Sequence, residues 1–528
     1  MSKIIKDLTI PLDQELEEKL KLMVANYSSH RILRKSVDAR KSRDPHFVYT
    51  VEVFANGESP PPHEIVLEKI HTREKPIVIG AGPAGLFAAL RFIERGVACT
   101  LLERGSDADK RLKFINRHWR YGELDAQNNV CFGEGGAGLY SDGKLITRIK
   151  SEHIAYVMNR LVRFGAPAEI EYLSNPHVGS DRIRRVIPKI RNYLLANGCE
   201  IHFDSQVTDI MFQENRVSGV KTLDGKLHNS SHVVLATGHS SQDVFDLLKA
   251  KGVFMEGKSL AMGLRIEHPQ SLINKIQYRD SHADPQLGSA NYKLTHHDAK
   301  SGIGVYSFCM CPGGYTISSG TDADGVVCNG MSNYHRNSPF ANAAIVVTMD
   351  FKAWFGDEVF AGLNYRRALE KSAFAAVQAA GGKGQLPAQT VGDFLKRRSG
   401  AVGKTSSPSG VVPARLDQIL PAKLFTPIAE ALEYFERKMP GFLSEQAQLH
   451  GVESRTSCPV RVTRDKETLQ SVSHPGLYPT GEGAGYAGGI TSAAVDGIRV
   501  AEAIVKLLAN QELSVVAQPP KAQRPPSV

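Results

Sequence analysis

The chain has 528 residues, a net charge of +9, 42% hydrophobic and 23% charged residues, which predicts about three domains and excludes disordered and collagen-like chains. No apolar run approaches the roughly 18 residues of a bilayer span, and MSKIIKDLTIPLD lacks an apolar stretch of signal-peptide length, so no membrane partner and a cytoplasmic location are expected. Seven irregularly spaced cysteines are too few for a disulfide framework, and the modest positive excess favours an anionic ligand.

Residues 1–72 read as a small α+β module. IIKDLTIPL has the apolar content of a strand, Asp13 can cap a helix carrying Leu16, Leu20 and Met23 on one face, and HFVYTVEVFA alternates as a second strand. Between them RILRKSVDARKSR is dense in positive charge. It suits a solvated edge strand or a domain interface, and alternatively an anion or RNA contact. The breaks at SPPPH and HTREK put a boundary near Thr72.

From Pro76 the pattern becomes strand, glycine turn, helix, strand: PIVIG, AGPAG, LFAALRFIERG, VACTLLE. Leu86, Leu90 and Ile93 share a helix face, as a crossover helix covering a parallel sheet requires. Gly80, Gly82 and Gly85 form the turn, Pro83 and Ala84 start the helix, and Glu103 with Arg104 ends the next strand. Gly80 permits the tight turn, Gly82 admits a pyrophosphate close to backbone, and Gly85 lets helix pack on sheet; Glu103 would accept ribose hydroxyls. With strand, helix and acidic residue in register, this is a dinucleotide fingerprint. A second fingerprint is absent, since AAGGKGQLP lacks the strand, spacing and acid; NAD(P)H would then bind transiently, if it is the electron donor.

Two further segments have the same character. SHVVLATGHSS is a strand ending at Ala236, Thr237 and Gly238, and LYPTGEGAGYAGGITSAAVDGIRVAEAI is a strand end followed by a helix with Val495, Ile498, Val505 and Leu508 on one side. They resemble the second and third FAD-contact segments of the glutathione-reductase-type flavoprotein fold. The resemblance implies that Glu482 meets the ribityl and pyrophosphate region and that Gly488, Gly489 and Ile490 direct backbone N–H groups at the flavin ring. A GE…GGYN pattern of more distant flavoproteins matches at Gly481 and Glu482 and departs at Gly488-Gly489-Ile490-Thr491. Together with GEGGAGLYSDGKL, SFCMCPGG, CNGMSNYHR and GVESRTSCPVRVTRD, the chain resembles a bacterial family of FAD-dependent dehydrogenases, or NAD(P)/FAD-dependent oxidoreductases, nearly end to end. The implied fold is α/β: a Rossmann-like FAD-binding domain of glutathione-reductase type over 73–260 and 450–510, an inserted mixed α+β substrate domain over 261–449, the N-terminal module, and a disordered tail over 511–528. Inside the insert, AMGLRIE, GIGVYSFCMC, GGYTIS, GVVCNGM and AAIVVTMDF read as strands, and Tyr365–Ala380 and Pro427–Met439 as helices.

The expected cofactor is FAD, with Gly135, Gly136 and Val207 added to the contacts above, and no metal. A flavin performs the electron transfer and the protein tunes it, so the residues of interest line the ring. The loop GEGGAGLYSDGKL, with Gly133, Gly135, Gly136 and Gly138, should pass over the pyrophosphate or ring. Its Asp142 and Lys144 read as acid/base groups or as loop braces. Cys309 and Cys311 should face one side of a strand, either as a redox pair or as small buried hydrophobes; metal ligation lacks the C-x₂-C spacing. Arg455 joins the catalytic candidates, and alternation of Glu453 and Arg455 about Ser454 suggests an ion pair. A cation beside Cys458 would lower its pKa, and His239 is a proton donor or a structural residue. The expected activity is FAD-dependent hydride transfer involving a small organic substrate or NAD(P)H. RNA modification, suggested by RIRRVIPKIR and KRRSGAVGK but lacking interleaved aromatics, and a redox sensor without turnover are the alternatives.

Overall fold

The computed structural model describes residues 2–40, 44–60, 65–299 and 302–516. Lys41, Ser42 and Arg43 of the basic run, the Pro61-Pro62-His63 break and the expected tail from 517 onward lie outside the described residues. The last helix, Ile490–Val516, takes in 511–516, so these residues are helical and not part of the expected disordered tail.

The N-terminal module is an antiparallel sheet with His46–Ala55 between Lys3–Pro11 and Tyr27–Asp38. Strict alternation along the central strand puts Phe47, Tyr49, Val51 and Val53 into a core with Leu8, Ile10, Leu16 and Leu20. Asp13 does not cap the helix. It starts at Leu16 after Glu15, which makes no side-chain capping bond, and Met23 is exposed. The basic run occupies the edge strand. Lys35 N–H donates to Tyr172 O and Ser174 N–H to Lys35 O, both at 2.9 Å, which docks the edge onto the next domain.

That domain is built on a parallel sheet in the order Leu477–Pro479, Val233–Leu235, Ile77–Ile79, Thr100–Leu102 and Glu200–His202. The four strands from Leu477–Pro479 to Thr100–Leu102 are fully buried, as parallel strands covered on both faces should be. Helix Pro83–Glu94 buries Leu86, Leu90 and Ile93 as expected. It packs so closely against Ile490–Val516 that a Cβ on Gly497 would lie 2.0 Å from Ala84 O. The run RIRRVIPKIR lies in helix Ser180–Ala196, whose Ile183, Val186, Ile187 and Ile190 are buried. Its Arg191 is paired with Glu134 at 2.8 Å and Arg182 lies over the Tyr334 ring, so this basic run is partly spent on internal contacts.

The inserted domain is a seven-stranded sheet in the order Thr295–His297, Gly304–Cys311, Phe340–Met349, Leu260–Pro269, Gln448–Glu453, Leu386–Thr390 and Val411–Pro413. Helices Ala361–Ala379 and Ala422–Lys438 pack on it. The second begins five residues before Pro427, which therefore sits inside the helix rather than at its start. The hairpin of Gly314–Ser318 and Cys328–Ser332 forms a separate two-stranded sheet. The chain leaves and re-enters the first domain through Met255–Gly257 and Val460–Val462, which pair antiparallel. The two crossings thus fix the insert against the parallel sheet.

Candidate functional site

A cleft of about 400 Å³ opens at the carboxyl ends of the parallel strands, where Ile79, Leu102, Ala236 and Thr480 reach its wall. Open α/β sheets bind ligands at this end. The three fingerprint glycines meet different demands there. Gly80 has φ +101° and a Cβ on it would lie 2.4 Å from Ala236 O. A Cβ on Gly85 would lie 1.8 Å from Gly80 O. At Gly82, by contrast, the nearest protein atom is Gly136 Cα at 3.8 Å, so its open side faces the cleft. Gly80 and Gly85 serve the protein's own packing; Gly82 leaves room for a ligand.

Glu103 is buried, and its carboxylate accepts from Ala81 N–H at 2.7 Å, Gly105 N–H at 2.9 Å and Gly133 N–H at 3.0 Å. A carboxylate has about four acceptor sites, so it ties three loops together and keeps capacity on the cleft side. Arg104 pairs with Asp243 and stacks over Phe132, 4.4 Å from the ring centroid. Val207, Thr237 and Gly238 line the same end. The 133–144 loop does cross the cleft: a Cβ on Gly136 would lie 2.9 Å from Gly82 Cα, and one on Gly138 3.2 Å from Ile490 Cγ1. Gly135 and Gly481 are set back from the lining. Gly135 N–H donates to Ala81 O at 2.8 Å and Gly481 N–H to Asp496 at 2.8 Å.

At the opposite end Glu482 lies 3.8 Å from His239 Nε2. Burial pushes the Glu482 carboxyl up to about 7 against the pull of Lys258. Burial, then Arg366 and Arg455, pulls His239 down to about 3, so its imidazole is neutral near pH 7 and is no imidazolium donor. Gly488, Gly489 and Ile490 complete this end, with nothing within 4 Å of a Cβ on either glycine.

The inserted domain and the loop after the first βαβ unit wall the cleft with charge. Asp142 is 1% exposed and accepts from Ser332, from Arg336 Nη2 at 2.5 Å and, as an ion pair, from Lys144 at 3.4 Å. Burial opposes its ionisation, but Lys144 and Arg336 outweigh that and hold the carboxyl below its usual range. Asp142 is therefore a brace in its charged form. Lys144 also donates to Met310 O and, despite burial, is held protonated by Asp142. The expected Glu453–Arg455 pair does not form. The strand Gln448–Glu453 ends before Arg455, so alternation no longer applies and the two side chains diverge. Glu453 takes Arg265 in a fork at 2.9 and 3.0 Å, and Arg455 donates to Glu370 through Nε and Nη2, both at 2.9 Å, and through Nη1 to Thr321 at 2.8 Å. Arg455 thus lines the cleft with most of its donors satisfied. Cys458 is also unlike its expectation: burial pushes its thiol up to about 11, and Sγ contacts Gly483 O at 3.4 Å.

Cys309 lines the cleft and Cys311 is buried behind it. Sequence reasoning missed Phe132, Phe308, Asn329 and Glu453 as lining residues. Asn329 lies in the CNGMSNYHR segment and Phe308 beside Cys309, so the quoted motifs held the signal. Among the described residues no group of His, Cys, Asp or Glu is arranged for a metal ion.

The residues present fit FAD. No protein atom lies within 4 Å of a Cβ on Gly238, Gly488 or Gly489, and at Gly82 only Gly136 Cα approaches, at 3.8 Å. Two helix N-termini, at Pro83 and Ile490, converge on the cleft, a place where unpaired N–H groups and the helix dipole favour anionic groups. Comparison with known proteins agrees. An uncharacterised protein of Clostridium beijerinckii (strain ATCC 51743 / NCIMB 8052) is 39% identical over 524 residues, 95% of this chain and 96% of the relative. The chain belongs to that protein's family. Residues 259–456 match the family described as "FAD-dependent protein, C-terminal domain-like" and residues 5–54 a domain of unknown function, DUF8436. The fold is accordingly a Rossmann-like α/β domain with an inserted mixed domain, the insert matching a family of FAD-dependent proteins. Solved structures with similar chains include flavin-dependent brominase Bmp2 (14% identity, 83% of this chain and 80% of that one, TM-score 0.38) and glycine oxidase from Bacillus cereus ATCC 14579 (11%, 82% and 95%, 0.32). No helix of the described residues is long and apolar enough to cross a membrane.

Proposed function

We propose that this chain is an FAD-dependent oxidoreductase that exchanges a hydride or electron pair with a small organic molecule, with NAD(P)H as a transient donor. The observation that carries the reading is the convergence of Gly82, Glu103, Glu482 and the Ile490 helix start on one cleft whose remaining wall is supplied by the inserted domain. FAD supplies the two-electron chemistry when bound. The protein's part is to hold it and to shape the space beside it. Gly80, Gly82, Pro83, Ala84 and Gly85 present the pyrophosphate turn, Glu103 keeps acceptor capacity for a ribose hydroxyl, and Arg104, Val207, Thr237 and Gly238 enclose the adenosine end. Glu482 and the Gly488-Gly489-Ile490 segment serve the ribityl and ring end, in the manner of glutathione-reductase-type flavoproteins. Gly135, Gly136 and Gly481 set the loop and helix that carry these groups.

Within the cleft Lys144 is a fixed cation, which favours an anionic substrate group, and Asp142 and Arg455 position rather than transfer. Glu482 Oε1 is the group able to hold or release a proton near neutral pH, because burial brings its carboxyl to about 7. The test is an anaerobic absorbance spectrum of the purified protein followed by titration with NADH and NADPH. Flavin bands are expected, and their bleaching by one nucleotide identifies the donor. A chain that neither carries nor takes up FAD would refute the reading.

A further inference from the structure

The segment Phe308-Cys309-Met310-Cys311 departs from the flat strand that its sequence predicts. Phe308 pairs with Ala344 and Cys311 with Asn342, so Cys309 and Met310 together oppose Ala343 alone, the signature of a β-bulge. Cys309 takes φ +43°, a region that non-glycine residues rarely adopt and that clusters at functional sites. The result divides the pair. Cys309 lines the cleft, Met310 points into the apolar core of the insert, and Cys311 is fully buried.

Three contacts hold this shape. Lys144 Nζ donates to Met310 O, Arg265 Nη1 to Cys309 O at 3.4 Å, and Cys311 Sγ contacts Cys309 O at 3.3 Å. In a flat strand residues i and i+2 are about 6.6 Å apart, near the outer limit of the Cα separation that a disulfide spans. Here the Cys311 side chain is folded back on Cys309, where its Sγ meets the carbonyl oxygen of that residue. Gly330 flanks the pair: a Cβ there would lie 3.0 Å from Cys311 Sγ.

From this geometry we propose that Cys309 and Cys311 are a redox-active dithiol that passes electrons between the flavin and a low-molecular-weight disulfide entering the cleft. The inference rests on the flavin reading above and names a substrate class for the same site. The asymmetry assigns the roles: Cys309, on the cleft wall, is the attacking sulfur, and Cys311, behind it, resolves. The electrostatics agree. The hydrogen bond from Cys311, opposed by burial and supported by Lys144 and Arg265, pulls Cys309 down to about 5, while Cys311 is pushed up. Cys309 is then a thiolate at neutral pH.

The Cys309 thiolate attacks R–S–S–R′, forming a Cys309–S–R bond and expelling R′S⁻, which takes a proton from solvent. Cys311 loses its proton and attacks the Cys309 sulfur, forming the Cys309–Cys311 bond and expelling RS⁻, which is likewise protonated. The substrate has gained two electrons and the pair has lost two. Two electrons and two protons restore the dithiol, and the reductant is a reduced flavin, which ends oxidised.

Two measurements on the FAD-loaded protein test this. With dithiobis(nitrobenzoate) as the disulfide, wild type should release about two coloured thiolates per chain in the fast phase and keep no adduct by intact mass. Cys311→Ser should release about one and retain the mixed disulfide, and Cys309→Ser should lack the fast phase. Wild type that retains the adduct, or has no fast phase, overturns the proposal. In the second measurement the oxidised protein is titrated anaerobically with dithionite while flavin absorbance is followed. Wild type should need about two two-electron equivalents for flavin and pair together, and Cys309→Ser about one. Flavin bands that bleach with one equivalent in both proteins overturn the dithiol and leave the flavin reading standing. Absence of flavin bands after incubation with FAD overturns both.

Discussion

The fingerprint glycines allow one chemical change, the addition of a methyl group, to be read two ways. At Gly85 the new Cβ would lie 1.8 Å from Gly80 O and 3.1 Å from Gly80 C. Both are backbone atoms of the turn itself, so the helix must move off the sheet. Overpacking of this kind costs about 3 kcal/mol, and for a domain of this size that lowers Tm by roughly 6–12 °C. At Gly82 the nearest atom to a Cβ is Gly136 Cα at 3.8 Å, an ordinary contact, so Gly82→Ala should change the apoprotein by no more than about 0.5 kcal/mol. Its cost should fall on the cofactor. A methyl group in the space left for the pyrophosphate is expected to weaken FAD at least tenfold, about 1.4 kcal/mol. The same amount is then lost from the stabilisation that excess FAD confers on the folded state. The assay is thermal unfolding of wild type, Gly82→Ala and Gly85→Ala, each without FAD and with FAD in excess, beside an FAD titration by fluorescence quenching. Gly82→Ala should melt with wild type when stripped and fall behind it when loaded, whereas Gly85→Ala should melt early in both states. If stripped Gly82→Ala loses as much as Gly85→Ala, or if it binds FAD like wild type, Gly82 does not face the cofactor.

The buried charges give three more expectations. Glu453→Gln leaves the fully buried Arg265 guanidinium without its counter-charge and should cost about 3–5 kcal/mol in urea unfolding; a loss under about 1 kcal/mol would mean that Asn342 and the Cys309 carbonyl suffice. Asp142→Asn breaks the contacts to Arg336 and Lys144 and should cost about 2–4 kcal/mol. Because Asp142 has a lowered pKa, its contribution is complete above the ordinary aspartate range and lost as pH falls through the lowered value, so the gap between wild type and Asn variant should close in acid. Glu482 has the opposite sign. Its folded-state pKa is raised to about 7, so the folded state binds the extra proton between the ordinary glutamate pKa and 7 and wild type loses stability as pH rises through that window. Stripped Glu482→Gln should therefore gain on wild type from pH 5 to 8 in Tm, and parallel curves would show that the carboxyl titrates normally.

How much of this was legible in the sequence follows from the range of the interactions involved. The fingerprint was readable because strand, turn and helix are contiguous: Gly80, Gly82 and Gly85 need only their own neighbours to declare the turn, and Glu103 closes the same βαβ unit. The Ala236-Thr237-Gly238 and Gly481-Glu482 segments were readable for the same reason, as strand ends of one sheet. The wall supplied by the insert was not. Phe308, Asn329 and Glu453 reach the cleft from three strands, the last more than a hundred residues after the other two, and which faces they show depends on pairings that composition does not specify. Asp13 failed as a cap because the helix starts two residues after the position its capping would require.

The missing Glu453–Arg455 pair and the uneven placement of Cys309 and Cys311 share a cause. Period-two alternation holds only while the ladder is regular. The strand carrying Glu453 stops there, and Arg455, released from it, turns to Glu370 on helix Ala361–Ala379 while Glu453 turns to Arg265. The strand carrying Cys309 stays in the sheet but takes a bulge, which sets Cys309 on the cleft wall, Met310 in the core and Cys311 directly behind Cys309. In each case the irregularity falls at the cleft, where the chain gives up ladder regularity to aim a side chain. A bulge that puts a non-glycine residue at φ +43° costs of order 1–3 kcal/mol. The placement of Cys309 on the cleft wall, between two cations and beside a second thiol, is the physical ground for reading the segment as part of the chemistry rather than of the core.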